Sequence, residues 1–248
     1  MRTSGNTILI TGGTTGIGLG LAQRFHADGN VVIIAGRRGE LLSDITAEHP
    51  GMDSVVMDVA DPVSIRRCFA TVTDKHPDLN VVVNNAGIML SEDLTDPDHL
   101  RVAEDTVATN LLGPIRLLAE AVPFLAGQTA AVIINVSSGL GFVPLPITPT
   151  YSATKAAIHS YTQSLRAQLA GTGVQVVELI PPAVQTDLMG QAASGQGVPL
   201  PAFLTEVMDI LRSDPDVAEV CVNDVMPLRH AEAQGRHDDM LAMLSGAH

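Results

Sequence analysis

Six short apolar runs rich in valine and isoleucine recur along the first two-thirds of the chain, and the stretches between them read as helix. The runs are TILIT at 7–11, VVIIA at 31–35, SVVMDV at 54–59, NVVVNNA at 80–86, AAVIINVSS at 130–138 and VQVVELI at 174–180. A strand with one wet face alternates apolar and polar residues. These runs are continuously apolar at their centres, so both faces must be covered. Segments such as GLGLAQRFHADG, with Gly29 as a C-terminal stop, and SIRRCFATVTDKHP carry helical periodicity. Repetition of strand, helix and strand implies right-handed crossovers and an α/β fold: a doubly wound parallel sheet with helices on both faces. Residues 1–248 are expected to form a single domain without a linker. The irregular LMGQAASGQGVPLP at 188–201 is expected to be part of a mobile substrate loop reaching to about 205, and 217–248 a C-terminal extension.

The first run leads into TGGTTGIG, with Gly12, Gly16 and Gly18, and then opens a helix. Glycines there let the backbone turn tightly and approach a pyrophosphate, which rests at the positive end of the helix. Strand before and helix after is the context that turns a weak glycine pattern into a Rossmann-like dinucleotide site. The second run ends in AGRRGE: Gly36 stands where an acid would read a ribose hydroxyl, and Arg37 and Arg38 follow. Paired guanidinium hydrogen bonds suit a 2′-phosphate, so NADP is the expected cofactor, with NADPH preferred over NADH.

Charge and length limit the partners. Fourteen Lys and Arg against 27 Asp and Glu leave a net charge of −13, which argues against nucleic acid and anionic membranes. An anionic ligand must be held by local groups. No apolar run reaches the roughly 18 residues of a membrane helix, and MRTSGNT leads into the first strand with no signal-peptide pattern; a cytoplasmic location is expected. Cys68 and Cys221 lie far apart and read as reduced thiols. His159, His230 and His237 lack metal-ligand spacing and read as surface or interhelix residues, so no metal is expected.

Tyr151 and Lys155 stand at i and i+4 in TPTYSATKAAIHSYTQ, on one helix face, where phenol and ammonium can form a proton-transfer pair or merely begin a helix. Ser138 precedes Tyr151 by thirteen positions. With the T-G-x-x-x-G-x-G spacing, DVAD at 58–61, NNAG at 84–87, TNLLGP around Asn110, Y-x-x-x-K and IPPAVQTDL, the chain resembles the short-chain dehydrogenases/reductases along nearly its whole length. Its PPAVQT segment and C-terminus resemble the DltE-like oxidoreductase subgroup. The resemblance implies cofactor contacts from Thr14 and Ile17 in the glycine turn, Asp58 and Val59 on the adenine side, and Asn85, Ala86 and Gly87 after the fourth strand. Pro182, Val184 and Thr186 would follow after the sixth, with Ala183 replacing the family's usual glycine. It also implies that Lys155 grips the nicotinamide ribose and Asn110 holds a relay water. The family's last strand with its V-D-G-G ending is absent from the pattern. A homodimer through the helices around 98–125 and 152–170 is therefore expected rather than a tetramer.

These residues imply an oxidoreductase in which Ser138 holds a substrate oxygen and Tyr151 acts as general acid or base. Lys155 is expected to lower the phenol's pKa toward neutrality. Ser137 reads as structural and Tyr161 as packing. The pocket walls are expected from Met89, Phe142, Val143, Leu145 and Ile147, then Leu188, Met189, Phe203 and Leu204, with no Lys or Arg in their segments. Glu206, Asp209, Asp214 and Asp216 make the neighbouring region acidic apart from Arg212. Such walls suit a small, neutral or cationic, moderately hydrophobic carbonyl or alcohol rather than an anion or a carrier-tethered group. A non-catalytic NADPH sensor is the main alternative, opposed by the intact Ser138, Tyr151 and Lys155. A dehydratase or epimerase would want a larger C-terminal domain. No G-x-S-x-G surrounds Ser138, which speaks against a hydrolase.

Overall fold

The computed structural model describes residues 1–190 and 195–246. Seven strands form one parallel sheet in the order β3-β2-β1-β4-β5-β6-β7. They are β1 (Thr7–Thr11), β2 (Val31–Gly36), β3 (Asp53–Val56), β4 (Val81–Asn84), β5 (Val132–Val136), β6 (Gln175–Ile180) and β7 (Glu219–Cys221). The strand order reverses between β1 and β4, so the carboxyl ends of these two strands open a crevice. Several runs are shorter as strands than their apolar pattern suggests. Asn85, Ala86, Ser137 and Ser138 have already left the ladder to line that crevice.

Helices cover both faces. On one side α1 (Gly16–Ala27), α2 (Gly39–Glu48) and α7 (Leu200–Ser213) pack Leu21, Phe25, Leu42, Phe203 and Val207 onto Ile8, Ile10, Ile34 and Val177. On the other side α3 (Pro62–Lys75), α5 (Gly113–Leu125) and α6 (Pro149–Gln168) pack against Leu9, Ile33, Val82 and Ile133. Neighbouring residues of one strand thus enter opposite cores, as a pleat requires. Tyr161 packs into the second core, as expected. The helix expected around 98–125 is interrupted: α4 (His99–Val107) passes through a π-turn at Ala108–Leu112 before α5.

Two expectations are corrected here. The extension does contain a last strand, since β7 pairs in parallel with β6 through Glu178↔Glu219, Leu179↔Val220 and Ile180↔Cys221. With only three residues it is too short to show as a pattern. The expected 188–205 loop ends early, because α7 starts at Leu200, and its stems are joined by a bridge between Val184 and Val198. Residues 191–194 of that segment lie outside the described residues. After β7 the chain forms α8 (Met226–Arg229) and α9 (His237–Ser245).

Candidate active site

A single cleft of about 690 Å³ runs along the carboxyl ends of the strands, from Arg37 and Arg38 past the glycine turn to Ser138, Tyr151 and Lys155, ending at Leu228 and Leu244. That volume is the size of an ordinary small-molecule site. Each element delivers its residues for a local reason. Gly12 turns the chain with φ +66°, and a Cβ on Gly18 would lie 2.3 Å from the Gly12 carbonyl oxygen, so the turn closes only over bare backbone. The Asn85 amide nitrogen donates to the carbonyls of Thr11 (2.9 Å) and Gly12 (3.3 Å), tying the turn to the end of β4. Arg38 donates to Thr14 Oγ1 at 2.7 Å, holding its guanidinium over the turn, while Arg37 remains exposed beside it.

This end of the cleft fits a dinucleotide. The steric bar at Gly18 keeps side chains out of the turn, and the open N-terminus of α1 carries no side-chain cap. Gly12, Thr14, Gly16, Ile17, Asp58, Val59, Asn85, Ala86 and Gly87 line the cleft, and so do Pro182, Val184 and Thr186. Two sequence candidates do not. Gly18 stands behind the turn, where its missing Cβ shapes the backbone. Asn110, buried in the π-turn, accepts from the Ile88 amide (2.8 Å) and donates to the Ile88 carbonyl (2.8 Å). Its side chain thereby fixes the strand-end segment after Gly87; Thr109 reaches the cleft instead.

The chemical centre sits between β5 and α6. Pro149 occupies the first turn of α6, and Glu92 accepts from the Thr150 amide (3.0 Å) and hydroxyl (2.7 Å), fixing the helix start beside Tyr151. Ser138 Oγ accepts from the Leu140 amide at 3.1 Å, which sets its rotamer. Lys155 Nζ donates to the Val136 carbonyl at 2.7 Å and stands 5.6 Å from the centre of the Tyr151 ring. Ser138, Tyr151 and Lys155 are all buried.

The expected lowering of the phenol is reversed. Burial pushes Tyr151 up to about 12, and the hydrogen bond with Ser138 offsets only part of this. Burial also brings Lys155 down to about 8, against the attraction of Glu178. The reason is geometric. The ammonium is engaged by Val136 and lies over the ring face, so desolvation of the phenolate dominates.

The apolar walls are partly those expected. Met89, Leu145, Ile147, Leu188 and Met189 line the cleft. Val143, Phe203 and Leu204 are instead buried in the core. Phe142 packs edge-on against His159 and under Arg229, with 4.7 Å to each. Leu140, Leu228 and Leu244 take their place, the last two from the C-terminal extension. A Cβ on Gly139 would meet Val225 at 2.8 Å and Leu228 at 2.9 Å, so the extension lies directly on the turn after Ser138. Nothing in the local sequence around Leu228 or Leu244 signals this; it follows from β7 joining the sheet. Among the described residues, the cations lining the cleft are Arg37, Arg38 and Lys155.

The comparisons agree with this architecture. A family model described as short chain dehydrogenase matches residues 6–197. An uncharacterized oxidoreductase DltE of Bacillus subtilis is 41% identical over 199 residues, covering 80% of this chain and 79% of the relative. An uncharacterized oxidoreductase of Staphylococcus epidermidis is 34% identical over 181 residues, covering 73% and 78%. Among solved structures, a 3-ketoacyl-(acyl-carrier-protein) reductase from Brucella melitensis complexed with NADH superposes with TM-score 0.78 at 26% identity, covering 91% of this chain and 100% of that one. A short chain dehydrogenase from Burkholderia cenocepacia in complex with NADP gives TM-score 0.82 at 24% identity, covering 98% and 99%.

Proposed function

The chain belongs to the short-chain dehydrogenase family of oxidoreductases, and from that premise we propose that it is an NADPH-dependent reductase of a neutral, moderately hydrophobic ketone or aldehyde. The observation that carries this reading is the buried set of Ser138, Tyr151 and Lys155 at the apolar end of a cleft whose other end presents two arginines. Solved relatives include an NADH complex and an NADP complex. The choice of NADPH therefore rests on Arg37 and Arg38, where an acidic residue would favour the free ribose hydroxyl.

When bound, the dinucleotide supplies the hydride. Arg37 and Arg38 attract the 2′-phosphate, and Lys155 faces the ribose. Ser138 donates a hydrogen bond to the substrate oxygen, and Tyr151 gives that oxygen its proton. A phenol held near pKa 12 stays protonated at neutral pH, the form a reduction needs. The aliphatic walls exclude water and offer no cation to a carboxylate, which disfavours anionic substrates. Asp187 adds an acid to the same end of the cleft. Leu100 and Leu112, exposed on α4 and the adjoining π-turn, support a homodimer through this face, which light scattering checks.

The test is NADPH oxidation over a carbonyl panel that pairs each carboxylate ketone with its ester. Tyr151→Phe should lower turnover by at least about 10²-fold while NADPH still binds. Near wild-type turnover in Tyr151→Phe would refute the mechanism, and a preference for the carboxylate member would refute the substrate class.

A further inference from the structure

Behind the catalytic face lies a second set of polar groups that the reaction does not use. Glu178 is fully buried on β6, at a position where the strand pattern calls for an aliphatic residue. The Ser137 hydroxyl donates to its Oε1 at 2.5 Å. His159 Nδ1 approaches both carboxylate oxygens, at 2.8 and 3.0 Å. With Gln163 Nε2 donating to the other ring nitrogen at 3.1 Å, the imidazole is assigned as the neutral tautomer with its proton on Nδ1. Two donors and no acceptor mark Glu178 as a carboxylate.

The ladder is tied to the catalytic residues at both ends. Ser137 directly precedes Ser138, and His159 stands one helical turn after Lys155 on the same face of α6. Lys155 itself is held by Val136, the neighbour of Ser137. From β7, Glu219 and Cys221 approach the same cluster, and from α8 comes Arg229, paired with Glu219 at 2.8 and 3.1 Å. His159, Glu178 and Glu219 bring ligand-type oxygens and a nitrogen within 4.8 Å of one another, but each is already engaged by Ser137, Gln163 or Arg229. Phe142 lies between His159 and Arg229 and helps seal the cluster. The formal charges balance: carboxylates of Glu178 and Glu219 against Arg229 and Lys155.

We propose that Glu178 is a positioning residue for Lys155, a buried carboxylate whose place is fixed by Ser137 and His159 and whose charge keeps the ammonium charged beside Tyr151. This rests on the reading of Lys155 as part of the reductase site. A buried carboxylate is costly compared with an aliphatic side chain, so its presence here is better explained by what it does to a neighbouring charge than by stability. Burial lowers Lys155 to about 8, and Glu178 is the group that opposes this. Without it the ammonium would lose its proton within the working range.

The chain has two lysines, Lys75 and Lys155, so their side-chain amines can be followed separately by NMR in the cofactor-free protein. Lys75 lies in an exposed pair with Asp53 and serves as internal control. In Glu178→Gln the Lys155 midpoint should fall by about one pH unit while Lys75 stays put. The alkaline limb of kcat/KM should move with it, giving about tenfold loss at pH 9 and little at pH 6. Glu178→Leu, which removes the charge with a different packing solution, should show the same shift, and Glu178→Asp should restore part of it. An unmoved Lys155 midpoint overturns the proposal, whatever happens to turnover. Failure of both charge-removing variants to fold also overturns it, since Glu178 would then be a folding element. If the reductase reading itself is wrong, Lys155→Ala will turn over normally, an outcome independent of the titration.

Discussion

The glycine turn at the cofactor end and the C-terminal cover at the substrate end meet in the same cleft, yet they are built on opposite principles. The turn is backbone geometry: Gly12 needs a positive φ, Gly18 needs no Cβ, and Asn85 locks both to β4. The cover is side-chain packing: Val225 and Leu228 rest on Gly139, and Leu244 reaches the cleft from α9. A backbone device tolerates almost no substitution. A packed apolar wall can be re-cut by a methylene at modest cost, which is where a substrate preference can vary while the cofactor stays the same.

The largest contrast should come from Gly18→Ala. Its methyl would sit against the Gly12 carbonyl, so NADPH binding should weaken roughly 10- to 100-fold, following the 1–3 kcal/mol typical of overpacking. Unchanged affinity by calorimetry would mean the turn is softer than its contacts imply. Next in size is Arg37→Ala, which should cost NADPH about tenfold in kcat/KM and NADH almost nothing, as for one exposed charge-assisted hydrogen bond. Equal losses with both cofactors would move the preference elsewhere. The smallest effect belongs to the cover. Leu244→Ala should raise the KM for a hydrophobic carbonyl about threefold, less than a fully buried contact would give, with NADPH affinity unchanged. A loss of NADPH affinity in that variant would erase the distinction between the two ends.

Most of the cofactor end was legible in the sequence because each feature there is local. Gly12, Gly16 and Gly18 sit within seven residues, and Arg37 and Arg38 directly follow a readable strand. The order Ser138, Tyr151, Lys155 was legible too, but their electrostatics were not. Burial is a property of everything packed around a group, and it reversed the expected direction for Tyr151. Phe203 and Leu204 illustrate the same limit: as apolar residues after a loop they suited a pocket wall, but α7 turns them into the core. Asn110 was found as a candidate, while its engagement of Ile88 depends on the π-turn that rotates it inward.

By itself the sequence determined the alternation of strand and helix, the doubly wound sheet and the turn that meets a dinucleotide, because these follow from periodicity and from steric limits acting within a few residues. Tertiary structure alone decided that Glu219–Cys221 forms a seventh strand, that Leu244 comes to the cleft from nearly a hundred residues beyond Tyr151, and that Glu178 lies buried among Ser137, His159 and Lys155. Those relations join residues far apart in the chain. Their energies depend on distance and on exclusion of water, and neither quantity exists until the sheet has brought the parts together.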